Sequence, residues 1–441
     1  MEQKLKSRLD ILLSTAVKQA EQVEIYYTSM IDTPAIFEAN RLKQLQTNES
    51  ALVALRIVRD GRIGFATDTT FANLDSLVTR AVEVAQFGAP AKFDVPGGKV
   101  YPETTIYDSE VKSFVIEQMV DLGEKTISRV REHSPDLQCD ASMDIGTVSV
   151  CILNSRGGEV SFEKSFCGIA LEGNLIRDTD MLFVGDSESS CHPIRNTDGV
   201  VSSVVRQLEL SRRQATVTTA RMPVIFTPHG VVSAFIAPLS VAFNGRTVLQ
   251  GVSPLVNRLG EKVFSQKLSL WDDATIPYRP RSRPCDDEGI PSRRIPLIDQ
   301  GTVSSFLYDL QTAGLAGAES TGSGDRGGGL PAPSISSLVF GTGNASFEEM
   351  LSEMGDGLVV EQLMGASQTN VLGGDFSGNV LLGYRVEKGE IVGRVKDTVV
   401  SGNIYQALNQ QIALGKDGRW VGAVFAPDIL CPELTVGSKK G

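Results

Sequence analysis

A chain of 441 residues, 41% hydrophobic and 22% charged, has the composition of an ordinary globular protein and room for about two to four domains. Its formal net charge of −11 excludes a broad nucleic-acid-binding surface, which needs clustered Lys and Arg to displace counterions. The start is charged and amphipathic without an apolar signal core. The longest uncharged stretch, Met222 to Asn244, is broken by prolines and small polar residues before it reaches the ~18 apolar residues of a membrane span, so no membrane contact and a cytoplasmic location are expected.

In chain order, Leu5, Leu9, Leu12, Leu13, Val17 and Ala20 recur at helical spacing and predict an amphipathic helix over 1–20. Residues 23–31 and 35–47 read as two strands. Two apolar runs, 51–58 and 64–69, flank Asp60-Gly61, which predicts a hairpin. A helix over 74–87 follows, with Asn73 as N-cap. Residues 88–102 are rich in Pro and Gly and predict a loop. One long helix is expected over 108–133, then strands over 137–188 broken at 154–158 and at Gly173, then a helix over 198–212. Helix and sheet thus alternate twice, which raises an internal duplication of an α+β unit that the low identity between halves does not establish.

The polar passage 213–221 divides an N-terminal α+β domain (1–212) from a β-rich C-terminal domain (213–441), an α+β fold class overall. Past the divide, 223–227 predicts a strand and 230–243 an apolar helix. Short, Gly-punctuated segments follow, with one helical insertion over 347–354 and strands over 380–385, 390–396 and 421–426. The six cysteines, Cys139, Cys151, Cys167, Cys191, Cys285 and Cys431, are scattered without a CxxC pair and read as reduced thiols.

The chain offers little self-contained chemistry. Its three histidines are His133, His192 and His229, and none is followed by Glu. A local zinc-protease site needs two histidines one helical turn apart and a Glu to activate water, so HExxH and HExxxH are both absent. A site drawn from distant ligands, such as His229 with Cys285 or Cys431, stays open, as does a dispersed hydrolase triad. Gly322–Gly327 matches GxGxxG by letter, but Pro331 and Pro333 follow where a dinucleotide site needs a helix, and the segment reads as a loop. Cys285-Asp286-Asp287-Glu288-Gly289 reads as an acidic turn, with a hard-cation site as the alternative. Gly373-Gly374-Asp375-Phe376-Ser377-Gly378 reads as a turn between strands, with a peptide-groove lining as the alternative.

Several segments resemble one family in the same order: Met222–Pro228, Cys285–Pro291, Ser346–Leu351 with Gly357–Gly365, Gly374-Asp375-Phe376-Ser377, and Thr398–Asn403. The chain is similar to the TldD/PmbA metallopeptidases, on the PmbA (TldE) side, once labelled modulators of DNA gyrase. The resemblance implies a whole-chain match and a two-chain protease. A TldD-type partner would carry HExxxH and the zinc, this chain would carry no cofactor, and the two would enclose a cavity where unfolded peptides are cut. The zinc helix falls on Gly230–Leu239, where no ligand or general base stands, and Cys431 lacks the Cys-Gly setting of the third ligand. No catalytic and no metal residue is therefore carried over. The resemblance offers Asp287, Glu288, Gly289, Met364, Gly365, Gly374, Asp375, Phe376 and Ser377 as peptide-groove candidates. The competing expectations are a stand-alone homodimer that binds peptides or regulates another protein, and an enzyme using a nucleophile or metal of its own.

Overall fold

The computed structural model describes residues 3–438, apart from 72 and 179. Its first part comprises α1 (Gln3–Ala16), β1 (Gln22–Glu38), β2 (Arg41–Leu45), β3 (Asn48–Arg59), β4 (Arg62–Asp68), α2 (Leu74–Ala85), α3 (Ser109–Lys112), α4 (Ile116–His133), β5 (Gln138–Asn154), β6 (Glu159–Arg177), β7 (Asp180–Ser190) and α5 (Asp198–Leu210). The strands form one sheet in the order β4-β3-β1-β5-β6-β7, with β2 beside the end of β1. β1 and β5 are antiparallel at its centre, in unbroken register from Glu24↔Asn154 to Phe37↔Ala141. On either side the same sequence of elements repeats: helix, three-stranded meander, helix. The duplication raised by the sequence is thus present as topology, with the two copies joined across β1 and β5.

The helices cover one face of this sheet. Val23, Ile25, Leu55 and Ile57 pack under α1 and α2, while Phe37, Cys139 and Met143 pack under α4 and α5. Several expected boundaries move. Two strands stand where two were expected, but the break lies at Ala39-Asn40, both with positive φ, and β1 runs through 32–34, because Pro34 falls where β1 passes from pairing with β3 to pairing with β2. Its missing N–H therefore leaves no ladder bond empty there. β6 runs through Gly173 unbroken, because a Cβ there would stand 2.9 Å from both Leu137 and Val184, and only Gly lets them close over the strand. The helix expected over 108–133 is two helices, parted where Phe114 turns into the core.

The second part holds β8 (Gln214–Ala215), β9 (Ala220–Phe226), α6 (Pro228–Ala242) and a twelve-stranded sheet. Five of these strands close on themselves: β9 pairs with Gly357–Met364, that with Asp375–Glu387, that with Thr398–Asn403, that with Val424–Ser438, and the last returns to β9. The strand expected over 421–426 straddles a hairpin, since Ala413–Val421 ends and Val424–Ser438 begins there. One side of the ring shares a core with α6; the other side shares one with α4 and α5 through Ile225, Val359, Leu382 and Tyr384. The two parts are therefore packed through common apolar residues. No helix among the described residues is long and apolar enough to cross a membrane.

The free edge of the first sheet, β7, is closed by side chains. Gln207 of α5 donates to Gly185 O (3.0 Å) and accepts from Gly185 N (2.8 Å), standing in for a neighbouring strand, and Arg394 donates to Met181 O (3.0 Å). An unpaired edge is a template for unwanted strands, and this one is blunted.

Candidate functional site

Helix α6 carries the stretch in which the resemblance places the zinc ligands. Thr227 caps it, accepting from Gly230 N, and Pro228 at the first turn has no N–H to satisfy. Val231, Ala234, Phe235, Pro238 and Leu239 are buried, and the residues between them are half-buried, so no position of the helix is fully exposed. Phe235 packs against Phe226 with ring centroids 4.8 Å apart, and Phe376 meets both rings edge-on. The only polar side chains on the stretch that follows His229 are Ser233 and Ser240, and each donates to a backbone carbonyl of its own helix. These residues do not fit a zinc ion.

The distant ligands do not converge either. Cys431 is fully buried in the core beneath α6, and burial pushes its thiol up to about 12. Cys285 lies in a different cluster, under Tyr26, Ala54 and Ile152 of the first sheet. Among the described residues no group of three or more His, Cys, Asp or Glu side chains is placed to hold a metal. All six cysteines are buried and unbonded.

His229, at the start of α6, is held by the first sheet. Its Nε2 lies 3.0 Å from Asp186 Oδ1, and Arg419 Nη2 lies 2.8 and 2.7 Å from the two Asp186 oxygens. Burial alone would raise this carboxyl, but His229 and Arg419 hold it down to about 2. In the neutral ring, this fixes the proton on Nε2 and leaves Nδ1 as an acceptor. His229 lines a cleft of about 360 Å³ between β6 and β7 on one side and Gln362, Leu381 and Val421 on the other. A larger groove, about 1230 Å³, lies across the middle of the first sheet beneath α1, and none of the peptide-groove candidates lines it.

The acidic turn is a buried ionic junction between the two parts of the chain. Arg56, 2% exposed, donates through Nη2 to its cross-strand partner Glu24 (2.7 Å) and through Nη1 to Glu288 (2.6 Å). Arg326 pairs with the other oxygen of Glu24, and Arg283 with Asp287 (3.2 Å). Asp286 accepts backbone N–H bonds from Glu288 (3.0 Å), Ile290 (2.9 Å) and Gly324 (2.9 Å). Positive charge thus comes from arginine and backbone N–H groups, and the hard-cation alternative falls away. Burial pushes Glu288 up to about 8; Arg56 opposes the rise, and Asp286 and Asp309 add to it. Gly324 of the GxGxxG-like loop is there to make room: a Cβ would stand 2.7 Å from Glu288 and 3.0 Å from Asp286. That loop forms a short hairpin, Gly324–Asp325 on Ala332–Pro333, whose Arg326 turns into the junction.

The candidates carried by the resemblance therefore lie in two places. Asp287, Glu288 and Gly289 belong to the junction; Glu288 is wholly buried and committed to Arg56, so it presents no groove surface. Gly374, Asp375, Phe376 and Ser377 begin a strand beside the far end of α6. Phe376 is 1% exposed and is core, because the Phe226–Phe235 pair needs a third ring to fill its corner. Asp375 and Ser377 are exposed, but the backbone there is taken: one edge pairs with Thr398–Asn403, and on the other Thr369 donates to Asp375 O (2.6 Å). Met364 and Gly365 end the neighbouring strand, with Met364 56% exposed. Arg56, Glu24, Arg326, Asp186 and Arg419 were missed. Glu24 and Arg56 did carry a signal: each interrupts an apolar run on a strand covered on both faces.

Two family models match the chain: the PmbA/TldA metallopeptidase C-terminal domain over residues 219–438 and the PmbA/TldA metallopeptidase domain 1 over 23–85. TldE from Thermococcus kodakarensis is similar over 98% of this chain and 100% of its own, with a TM-score of 0.87 and 25% identity. A metalloprotease of Methanothermobacter thermautotrophicus is 25% identical over 433 residues, 93% of this chain and 91% of that one. Metalloprotease PmbA of Escherichia coli is 29% identical over 222 residues, half of this chain and 47% of that one.

Proposed function

The chain belongs to the PmbA/TldD metallopeptidase family, and from that premise we propose that it is the TldE-type subunit of a two-chain zinc protease that processes unfolded peptides in the cytoplasm. The zinc and the HExxxH motif reside in a TldD-type partner, and this chain completes the peptide-binding cavity. The observation that carries this reading is α6. On the stretch Gly230–Leu239, where the resemblance puts the zinc helix, no His, Asp, Glu or Cys stands, and Val231, Ala234, Phe235, Pro238 and Leu239 are packed into the core. Six unbonded thiols agree with a reducing compartment.

The test is metal content by mass spectrometry and cleavage of an unfolded casein-type substrate, for this chain alone and after mixing with an HExxxH-bearing relative. The expected result is sub-stoichiometric zinc and no cleavage alone, with cleavage appearing on mixing. Stoichiometric zinc together with cleavage by the chain alone would falsify the reading. A stable homodimer that gains nothing on mixing would replace it with a stand-alone binding protein.

A further inference from the structure

The cleft beside the start of α6 is unequal in its hydrogen-bonding groups. Asp140 and Glu172, register partners on β5 and β6, are both exposed at its rim. Asp140 gives one oxygen to Ala39 N (2.8 Å) and has no cationic partner; Glu172 has neither a hydrogen-bond nor an ion-pair partner among the described residues. Asn174 Oδ1 is out of contact with water and has no hydrogen-bond partner. His229 is held through Nε2 by Asp186, which leaves Nδ1 without a protein partner on the cleft side. Arg419, the cation beside His229, is paired with Asp186. Against these acceptors stand the donors of Ser187 and of the Asn174 and Gln362 amides, and an apolar wall that includes Phe183.

A cleft of about 360 Å³ is the size of one or two residues of a peptide. Unpaired acceptors and carboxylates at its mouth, over an apolar wall, select a long side chain that ends in several N–H donors. We infer that this cleft is a subsite for a cationic group of the bound peptide, an Arg or Lys side chain or the α-ammonium. Asp140 and Glu172 supply the charge, and His229 accepts a hydrogen bond deeper in. This deepens the peptide-binding reading given above and rests on it. Binding falls with added salt, since both carboxylates are exposed.

The experiment uses the intact chain and three fluorescent, unstructured decapeptides read by anisotropy: N-acetylated with a central Arg, N-acetylated with Gln in its place, and the Gln peptide with a free amino terminus. The Arg peptide is expected to bind at least tenfold tighter than the acetylated Gln peptide. The double variant D140N/E172Q, whose exposed positions leave the fold intact, is expected to erase that advantage. Tight binding of the free-amine peptide, also lost in the double variant, assigns the site to the α-ammonium. Equal affinity for all three peptides overturns the inference, as does an Arg advantage that survives in the double variant. Cleavage of all three at one rate by the mixture with an HExxxH-bearing relative sinks this inference and leaves the subunit reading standing. Neither binding nor cleavage sinks both.

Discussion

Helix α6 and the turn Cys285–Gly289 are both shielded from water, and they fill their interiors in opposite ways. α6 sits where the family's chemistry would be, and its buried side chains are wholly apolar. The turn sits where two parts of the chain meet, and it buries Glu288 against Arg56, with Glu24 and Arg326 close by, and Asp286 against backbone N–H groups. A strongly shifted carboxyl is often taken as the mark of a catalytic site. Here the shifted group is committed to a structural contact, and the helix to which the resemblance assigns the zinc ligands buries hydrocarbon. Charge burial therefore locates the junction of this molecule and not a catalytic site.

The contrast predicts different responses to mutation. Arg56→Ala leaves Glu24 and Glu288 buried without their shared cation and should lower stability by about 5 kcal/mol in urea unfolding. Combining Arg56→Met with Glu288→Gln, which leaves Glu24 to pair with Arg326, should recover most of that loss. An Arg56→Ala midpoint equal to the parent's would mean that the junction contributes nothing. Glu288 also signs its presence in pH. Its value is raised from 4.5 to about 8, so the folded chain keeps a proton that the unfolded chain releases, and the parent should lose stability as pH rises between those values. Glu288→Gln should remove that component of the slope.

On α6 the response should be smaller and independent of pH. Val231→Ala removes two carbons from a fully buried site and should cost about 2 kcal/mol equally at pH 5 and pH 8. A pH-dependent loss there would show that the helix is coupled to a titrating group. The smallest effect belongs to the tie between them. Asp186 is held near 2 from an ordinary 3.8, so its contribution is present above about 4 and lost as pH falls toward 2. With Arg419 partly exposed, Asp186→Asn should cost only about 1 kcal/mol at pH 7. The difference from the parent should vanish near pH 2, as followed by thermal unfolding.

Local signals were legible in the sequence. Asp60 and Gly61 both adopt positive φ in their hairpin, Asn73 caps α2 by accepting from Ser76 N, and Phe347–Met354 is a helix with a Ser346–Glu349 capping box. Each of these depends on neighbours within a few residues. The position of α6 was legible too, as was its lack of a metal-binding pattern. What could not be read were partners set by the fold: Arg56 meets Glu288 from 232 residues away, and Arg419 meets Asp186 from 233. The groove assignments shifted for the same reason. Gly-flanked acidic segments look alike in sequence whether they line a cavity or, as with Asp287 and Glu288, plug a seam. Phe376 looked like an exposed ring among glycines, and only the rings of Phe226 and Phe235 make it core.

The pairing of Glu24 with Arg56 and Arg326 has a consequence for how the chain is made. As it emerges during synthesis, β1 and β3 bring Glu24 and Arg56 together early, but Glu288 and Arg326 arrive more than 200 residues later. Until then the Glu24–Arg56 pair has only Phe93 stacked over it, without the later residues that complete its cover. A fragment ending at residue 212 would leave that cover permanently incomplete, and would leave open the surfaces of α4 and α5 that the second part normally buries. The amino-terminal half therefore has no means of burying these surfaces until the residues that meet them, from Ile225 to Leu430, have been made.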